Sequence, residues 1–260
     1  MSYEARRLYV DLLIRCIGNT IYGDKPVEET LRRFSVLGSS KKNIDFDAEK
    51  RRVGQDWPSV AHSMAGLERL RNVADLVQRA IDEGVPGDFI ETGVWRGGSS
   101  ILMRGVLAAN EIHDRRVYAA DSFEGLPKPD TKAYPQDKGA RYHEYEALAV
   151  SVDQVKANFD AYGLLDDQAV FVKGFFSDTL PGLDAGPFAL IRLDGDMYES
   201  TIVALDALYP KVSPGGFIIV DDYGAVSACK DAVHHYRQKH GVSDEIHTID
   251  WTGVWWRKPW

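Results

Sequence analysis

The chain has 260 residues, 44% of them hydrophobic and 27% charged, with a formal net charge of −8 and a pI of about 5.4. Such a composition suits a soluble globular chain with one substantial core, and the negative balance excludes a nucleic-acid polyanion as partner, because phosphate binding needs clustered Lys and Arg. Cys16 and Cys229 have neither disulfide-framework nor zinc spacing, the N-terminus lacks a signal peptide's apolar core, and no stretch approaches the roughly 20 apolar residues that span a bilayer, so a reducing cytoplasm without membrane insertion is expected.

From the N-terminus, Leu8, Leu12, Ile14 and Ile17 recur with helical spacing and predict a helix over about 3–21, stopped by Tyr22-Gly23-Asp24-Lys25-Pro26. Residues 27–56 carry many charges and few apolar anchors, which predicts a short helix and an exposed loop. A further helix is expected to open near Trp57-Pro58. Leu67, Leu70, Val73, Leu76, Val77 and Ala80 then keep a helical stripe from Met64 to Ile81, closed by Gly84-Val85-Pro86-Gly87. This divides the chain into an N-terminal helical extension, 1–63, and a core, 64–260.

The core reads as α/β. Strands are expected at 88–92, 116–120, 169–173, 188–193 and 216–220, alternating with helices at 100–109, 152–162, 201–209 and 228–240. At the C-terminus, 245–250 and 253–257 flank Trp251-Thr252, which predicts an antiparallel hairpin at the edge of a mostly parallel seven-stranded sheet. A long polar loop at about 124–146 follows the second strand.

Two of these strands end in acids, Leu193-Asp194-Gly195-Asp196 and Asp221-Asp222. Open α/β sheets bind ligands beyond the carboxyl ends of their strands, which would gather the four carboxylates. Two carboxylates about 5 Å apart repel by roughly 3 kcal/mol at an effective dielectric near 20, so the cluster needs a cation, a proton or wide spacing; a divalent metal is the simplest answer. The turn Glu91-Thr92-Gly93-Val94-Trp95-Arg96-Gly97-Gly98-Ser99-Ser100 joins a strand to a helix, where glycines allow close ligand approach and the helix N-terminus favours anionic groups. It does not match G-x-G-x-x-G, which weakens a nicotinamide cofactor. Asp121, at the tip of the next strand, can accept bonds from both ribose hydroxyls or, with Ser122, cap the following turn.

Glu91 to Gly98, Ala120-Asp121-Ser122-Phe123-Glu124-Gly125, Leu193-Asp194-Gly195-Asp196-Met197-Tyr198 and Ser213 to Tyr223 together resemble the macrocin O-methyltransferase family, whose members methylate sugar hydroxyls of natural products. The resemblance covers almost the whole chain, including Trp57 to Met64 and Gly163-Leu164-Leu165-Asp166-Asp167-Gln168. It implies a Rossmann-like class I methyltransferase fold, S-adenosylmethionine as methyl donor, Mg²⁺, and a deoxysugar hydroxyl on a macrolide or aminocoumarin as acceptor.

By the same resemblance the turn with Glu91, Thr92, Gly93 and Ser99 holds the methionine end of the cofactor, Asp121 the ribose, and Ser122 with Phe123 the edge of the adenosine. Gly174, Phe175, Phe176 and Ser177 wall the adenine, although both phenylalanines suit ordinary burial equally well. Met64, beside His62, covers the sulfonium or belongs to the core. Asp194, Asp221 and Asp222 are the implied metal ligands, and hard oxygen donors suit Mg²⁺. Asp196 has three roles open to it: binding substrate, orienting a metal-bound water, or capping the helix near Ser200. Asp194 is the first candidate for general base, Asp196 the second and His143 the third.

The loop with Tyr134, Tyr142, His143 and Tyr145 is expected to form a lid over the acceptor, against the alternative of a solvated surface loop. His234, His235, His240 and His247 read as surface or structural. Trp251, Trp255, Trp256 and Trp260 are expected to pack edge strands or a dimer contact rather than form a sugar platform. A homodimer acting on a glycosylated small molecule is the expected assembly. The rival readings are an O-methyltransferase of a non-sugar vicinal diol or catechol, a phosphatase using Asp194-Gly195-Asp196, and a non-catalytic nucleoside-binding module.

Overall fold

The structure, a computed structural model, describes residues 2–27 and 45–260; the remainder of the loop expected between 27 and 56 lies outside the described residues. Seven strands form one sheet in the order β3-β2-β1-β4-β5-β7-β6. They are β1 (Asp88–Thr92), β2 (Val117–Asp121), β3 (Ala169–Lys173), β4 (Phe188–Leu193), β5 (Val212–Val220), β6 (His247–Thr248) and β7 (Val254–Arg257). The first five are parallel, whereas β7 runs antiparallel to β5 and β6 antiparallel to β7. Every residue of β4 is buried, Arg192 among them, as befits a central parallel strand covered on both faces.

Helices cover the two faces. On one lie α1 (Tyr3–Ile17), α3 (Gly66–Asp82), α4 (Gly98–Ala109) and α5 (Val152–Ala161), separated in sequence by the short α2 (Ala48–Arg52). Leu13, Ile14 and Ile17 of α1 join Leu70, Val73, Leu102 and Phe159 in a single core, so the N-terminal helix is built into the sheet's own packing. The short α6 (Phe176–Thr179) follows β3, and α7 (Tyr198–Leu208) and α8 (Ser227–His240) bury Leu205, Leu208, Val233 and Tyr236 with Trp256 on the other face.

The structure departs from expectation near the N-terminus and at α7. The first helix stops at Ile17, where the Gly18 amide closes the last turn on Ile14 O. No helix opens at Trp57-Pro58. Trp57 is buried, its carbonyl accepts Val27 N–H at 2.7 Å, and Pro58 forms an isolated antiparallel bridge with Pro26. Proline at a first helical turn and proline beside an extended bridge look alike in sequence, and the long-range pairing decided between them. Helix α7 begins at Tyr198 rather than Thr201, and the loop at 124–146 contains three single turns, Pro135–Asp137, Tyr142–Glu144 and Glu146–Leu148.

From β1 the chain proceeds outward to β2 and β3, then crosses back to place β4 on the other side of β1. This reversal leaves a crevice at the carboxyl ends of β1 and β4, where doubly wound sheets bind ligands.

Candidate active site

Gly93 stands at that reversal. Its φ of +84° is open to glycine, and a β-carbon there would sit 1.7 Å from the carbonyl oxygen of Asp194, so the turn after β1 and the tip of β4 touch backbone to backbone. Three non-glycine residues at neighbouring strand tips also have positive φ: Trp95 at 49°, Phe123 at 57° and Asp196 at 55°. Such conformations cost on the order of 1–3 kcal/mol each and persist where surrounding contacts over-determine them.

Beside Gly93, Asp194, Asp221 and Asp222 present oxygens within 4.8 Å of one another, the two latter side chains buried. Two buried arginines hold the cluster from behind. Arg192, 1% exposed, donates through Nη1 to Glu91 Oε1 at 2.7 Å and Asp194 Oδ2 at 2.8 Å, and through Nη2 to Asp221 Oδ1. Arg69 of α3 donates through Nη1 to Asp221 Oδ2 and through Nε to Asp250 Oδ2 at 3.0 Å. Burial followed by the charge of Asp221 pushes the Asp194 carboxyl well above the usual range, against the pull of Arg192. Burial works to lower the Arg192 pKa, but Asp221, Asp194 and Glu91 raise it well above its ordinary value.

Two guanidinium charges thus face Glu91, Asp194, Asp221 and Asp250, with Asp222 beside them, and negative charge remains in excess. Oxygen donors converging where burial and neighbouring acids raise the Asp194 pKa fit a hard divalent cation. Arg192 escaped the reading of the sequence, although a charged residue inside the apolar run Phe188–Leu193, one place before the acidic tip, was a usable signal. Arg69 lies among the apolar positions of α3 and gave none.

Asp121 ties the two neighbouring turns together. Its Oδ2 accepts the N–H groups of Val94 at 2.6 Å and Trp95 at 3.3 Å, and its Oδ1 accepts Phe123 N–H at 2.7 Å and the Ser122 hydroxyl at 3.3 Å. Burial still raises its pKa despite these bonds. Asp121 therefore orders the turn after its own strand, and it also lines a cleft of about 1140 Å³, mouth included, with Met64, Gly93, Ser122, Phe175 and Ser177.

Asp194, Asp196, Asp221 and Asp222 line the same cleft. Thr92 and Ser99 are buried outside its lining, as is Glu91, which is committed to Arg192 and the Ser100 hydroxyl; Gly174 lies outside the lining too, its amide on Asp121 O at 2.9 Å.

The polar loop is docked. Asp137, 2% exposed, accepts the backbone N–H groups of Tyr198 at 2.7 Å and Glu199 at 3.0 Å, and so caps α7 from a distant part of the chain. This replaces the capping role open to Asp196, whose own amide donates to Asp222 Oδ2 at 3.1 Å. Tyr145 meets Trp57 edge-on at 5.5 Å, and the Trp95 indole donates to Ala147 O at 2.7 Å. His143 lies in the turn Tyr142–Glu144, outside the cleft lining, with Glu144 4.0 Å away.

His234 and His235 bond the hydroxyls of Tyr223 and Tyr198, and His240 and His247 stack on Tyr236 and Trp255. Trp255 and Trp256 belong to β7, with Trp256 fully buried, and Trp260 lies over Gly215. Trp251, expected in edge-strand packing or a dimer contact, departs from the first of these. It lines the cleft, because the turn between β6 and β7 folds back beside Asp221.

Comparison with known proteins gives a consistent result. A family model described as macrocin-O-methyltransferase (TylF) matches residues 6–258. The 8-demethyl-8-(2,3-dimethoxy-alpha-L-rhamnosyl)-tetracenomycin-C 4'-O-methyltransferase of Streptomyces olivaceus is 52% identical over 99% of this chain and 95% of its own length. The demethyldecarbamoylnovobiocin O-methyltransferase of Streptomyces niveus is 45% identical, over 96% of this chain and 93% of its own. The mycinamicin III 3''-O-methyltransferase of Micromonospora griseorubida is also 45% identical, over 96% of each chain. The solved structure of the O-methyltransferase NovP superposes with a TM-score of 0.91 at 44% identity, covering 98% of this chain and 100% of that one. The calicheamicin methyltransferase CalS11, 18% identical with a TM-score of 0.61 over 86% of this chain and 99% of its own, shares the fold.

Proposed function

The chain belongs to the macrocin O-methyltransferase family, and from that premise we propose that it methylates a deoxysugar hydroxyl of a glycosylated natural product, using S-adenosylmethionine and Mg²⁺. It is an O-methyltransferase with the class I S-adenosylmethionine-dependent fold. The observation that carries the sugar reading further is the convergence of Asp194, Asp221 and Asp222 in one cleft with Gly93 and Asp121. The relatives named for tetracenomycin, novobiocin and mycinamicin support a glycosylated acceptor.

In this reading the Gly93 turn receives the methionine end of the cofactor, Asp121 the ribose, and Phe175 and Ser177 border the adenine. S-adenosylmethionine, when bound, supplies an electrophilic methyl on a positive sulfonium, so transfer neutralises charge and the protein gains mainly by alignment. Asp194, Asp221 and Asp222 would hold Mg²⁺, which when bound lowers the pKa of a sugar hydroxyl and fixes its orientation.

Asp194 takes the hydroxyl proton. Its burial among acids gives it a high proton affinity, and Arg192 Nη1 holds the carboxylate through Oδ2 at 2.8 Å. Asp196, in the same cleft, is the second candidate, and His143 would have to move to serve. The lid, pinned by Asp137, excludes water above them.

The cleft is acidic, with Glu199 added to the four tip aspartates, and its Arg69 is engaged by Asp221 and Asp250. That favours a neutral glycoside over a nucleotide diphosphate sugar. Exposed Tyr3, Leu8 and Leu12 along α1 suit contact with a second copy, in keeping with a homodimer working in the cytoplasm.

The test incubates the protein with S-adenosylmethionine, Mg²⁺ and the rhamnosylated tetracenomycin, novobiocin and mycinamicin precursors, and follows methyl gain by mass spectrometry. A catechol, a nucleotide sugar and a generic phosphate ester serve as controls. Methylation of a glycoside with S-adenosylhomocysteine release is expected. Preferred turnover of the catechol, or phosphate release, would transfer the assignment to a rival.

A further inference from the structure

Trp251 is 41% exposed, unusual for a large aromatic side chain on a turn so firmly held. Its indole N–H donates to Val53 O at 2.7 Å, which fixes the ring plane. The turn beneath it is tight. Asp250 Oδ1 accepts the amides of Thr252 at 3.0 Å and Gly253 at 2.7 Å, while Asp250 Oδ2 takes Arg69 Nε. The Thr252 hydroxyl donates to Asp221 O at 2.9 Å, and Gly224 N–H to Thr252 O at 2.8 Å.

A β-carbon on Gly224 would lie 2.4 Å from Trp251 O, so the turn is seated directly on the loop that follows Asp221-Asp222. Arg69 joins both parts through Asp221 and Asp250. An indole is thereby held in the cleft lining in fixed register with the acidic tips, its N–H satisfied and much of its surface exposed.

We propose that Trp251 is a specificity-determining residue, a platform for the carbon–hydrogen face of the acceptor's sugar ring. The chemistry is that of a flat apolar surface beside acids. The ring's C–H bonds lie on the indole while the hydroxyl edge turns toward Asp194 and Asp196, and a rigid two-torsion side chain loses little entropy in making the contact. Pinning the ring to the β6–β7 turn rather than to the polar loop gives the site one wall that is in place before the acceptor arrives. This assignment rests on the sugar O-methyltransferase reading.

The test compares wild type, Trp251→Ala and Trp251→Phe with the rhamnosylated tetracenomycin as acceptor. It measures acceptor KM, kcat, S-adenosylmethionine Kd and melting temperature. W251A is expected to raise acceptor KM roughly tenfold, with cofactor Kd and kcat each within about twofold, and W251F, which keeps the ring face but loses the N–H, should recover most of the loss. An acceptor KM within about twofold in W251A overturns the proposal, as does W251F impaired as severely as W251A, which would reduce the residue to an anchor for Val53. Lack of methyl transfer by the wild type to any glycoside would instead overturn the underlying reading, and the platform with it; wild-type turnover separates the two failures.

Discussion

Replacing Arg192 by methionine removes the charge that faces three carboxylates while keeping an apolar stem of similar length. Arg192 reaches Glu91, Asp194 and Asp221 from a side chain only 2% exposed. Removing one partner of a buried ionic network costs about 3–5 kcal/mol, because the remaining charges stay desolvated and unpaired. For a domain of this size 1 kcal/mol moves the melting temperature by about 2–4 °C, so a fall between about 6 and 20 °C is expected.

Magnesium should restore part of it. With the guanidinium gone, the acids at the tips of β1, β4 and β5 bind a divalent cation more tightly. A ligand present at a hundredfold excess over its Kd adds about 2.7 kcal/mol. Differential scanning calorimetry of wild type and R192M, with and without MgCl₂, reads both effects. A variant melting within about 2 °C of wild type, or one no more responsive to magnesium than wild type, would refute the reasoning.

Three further outcomes follow from the geometry. Gly93→Ala adds left-handed strain of about 1–2 kcal/mol and drives a methyl group into the Asp194 carbonyl; methyl transfer should fall on the order of a hundredfold, since a displacement of about 1 Å at the reacting groups suffices for that, and wild-type turnover in steady-state assays would contradict it. Asp137→Ala loses both cap bonds to α7, worth about 1–2 kcal/mol, so hydrogen exchange over 134–148 should quicken and acceptor KM should rise; unchanged exchange would show that the loop is held by other contacts. His62, bonded to the Tyr162 hydroxyl at 2.9 Å, has its pKa lowered by burial and by Arg96. Its unfolded form gains the proton first, so the stability it contributes is complete above about pH 6.5 and declines as pH falls through that value toward the folded pKa. Urea denaturation should show H62Q with a shallower loss than wild type between about pH 7 and pH 5.

The parallel core is legible because its strands are short, largely apolar runs between breaks. The expected bounds 169–173 and 188–193 match β3 and β4, although β3 is only half-buried at the sheet edge and β4 carries Arg192, and acids placed directly after the runs at β4 and β5 announce the cleft. Interactions between distant segments were illegible. Nothing near Trp57-Pro58 shows that Pro26 will pair with it, and nothing near Tyr198 shows that Asp137 will supply its cap. Local spacing alone opens a capping role to Asp196, but Asp137, 61 positions from Tyr198, fills it. Of the edge packing or dimer contact expected of Trp251, the edge packing gives way because a short strand, His247–Thr248, leaves its turn free to fold over Asp221 rather than extend along the sheet.

The central claim is that the acidic tips of β4 and β5 carry out metal-assisted methyl transfer to a sugar. A titration of methyl transfer from isotopically labelled S-adenosylmethionine to the rhamnosylated tetracenomycin, first with EDTA and then with increasing MgCl₂, tests it most directly, with Asp222→Asn in parallel. Transfer that stops with EDTA, returns with magnesium and needs far more magnesium in D222N is the predicted result; transfer indifferent to EDTA would contradict the claim.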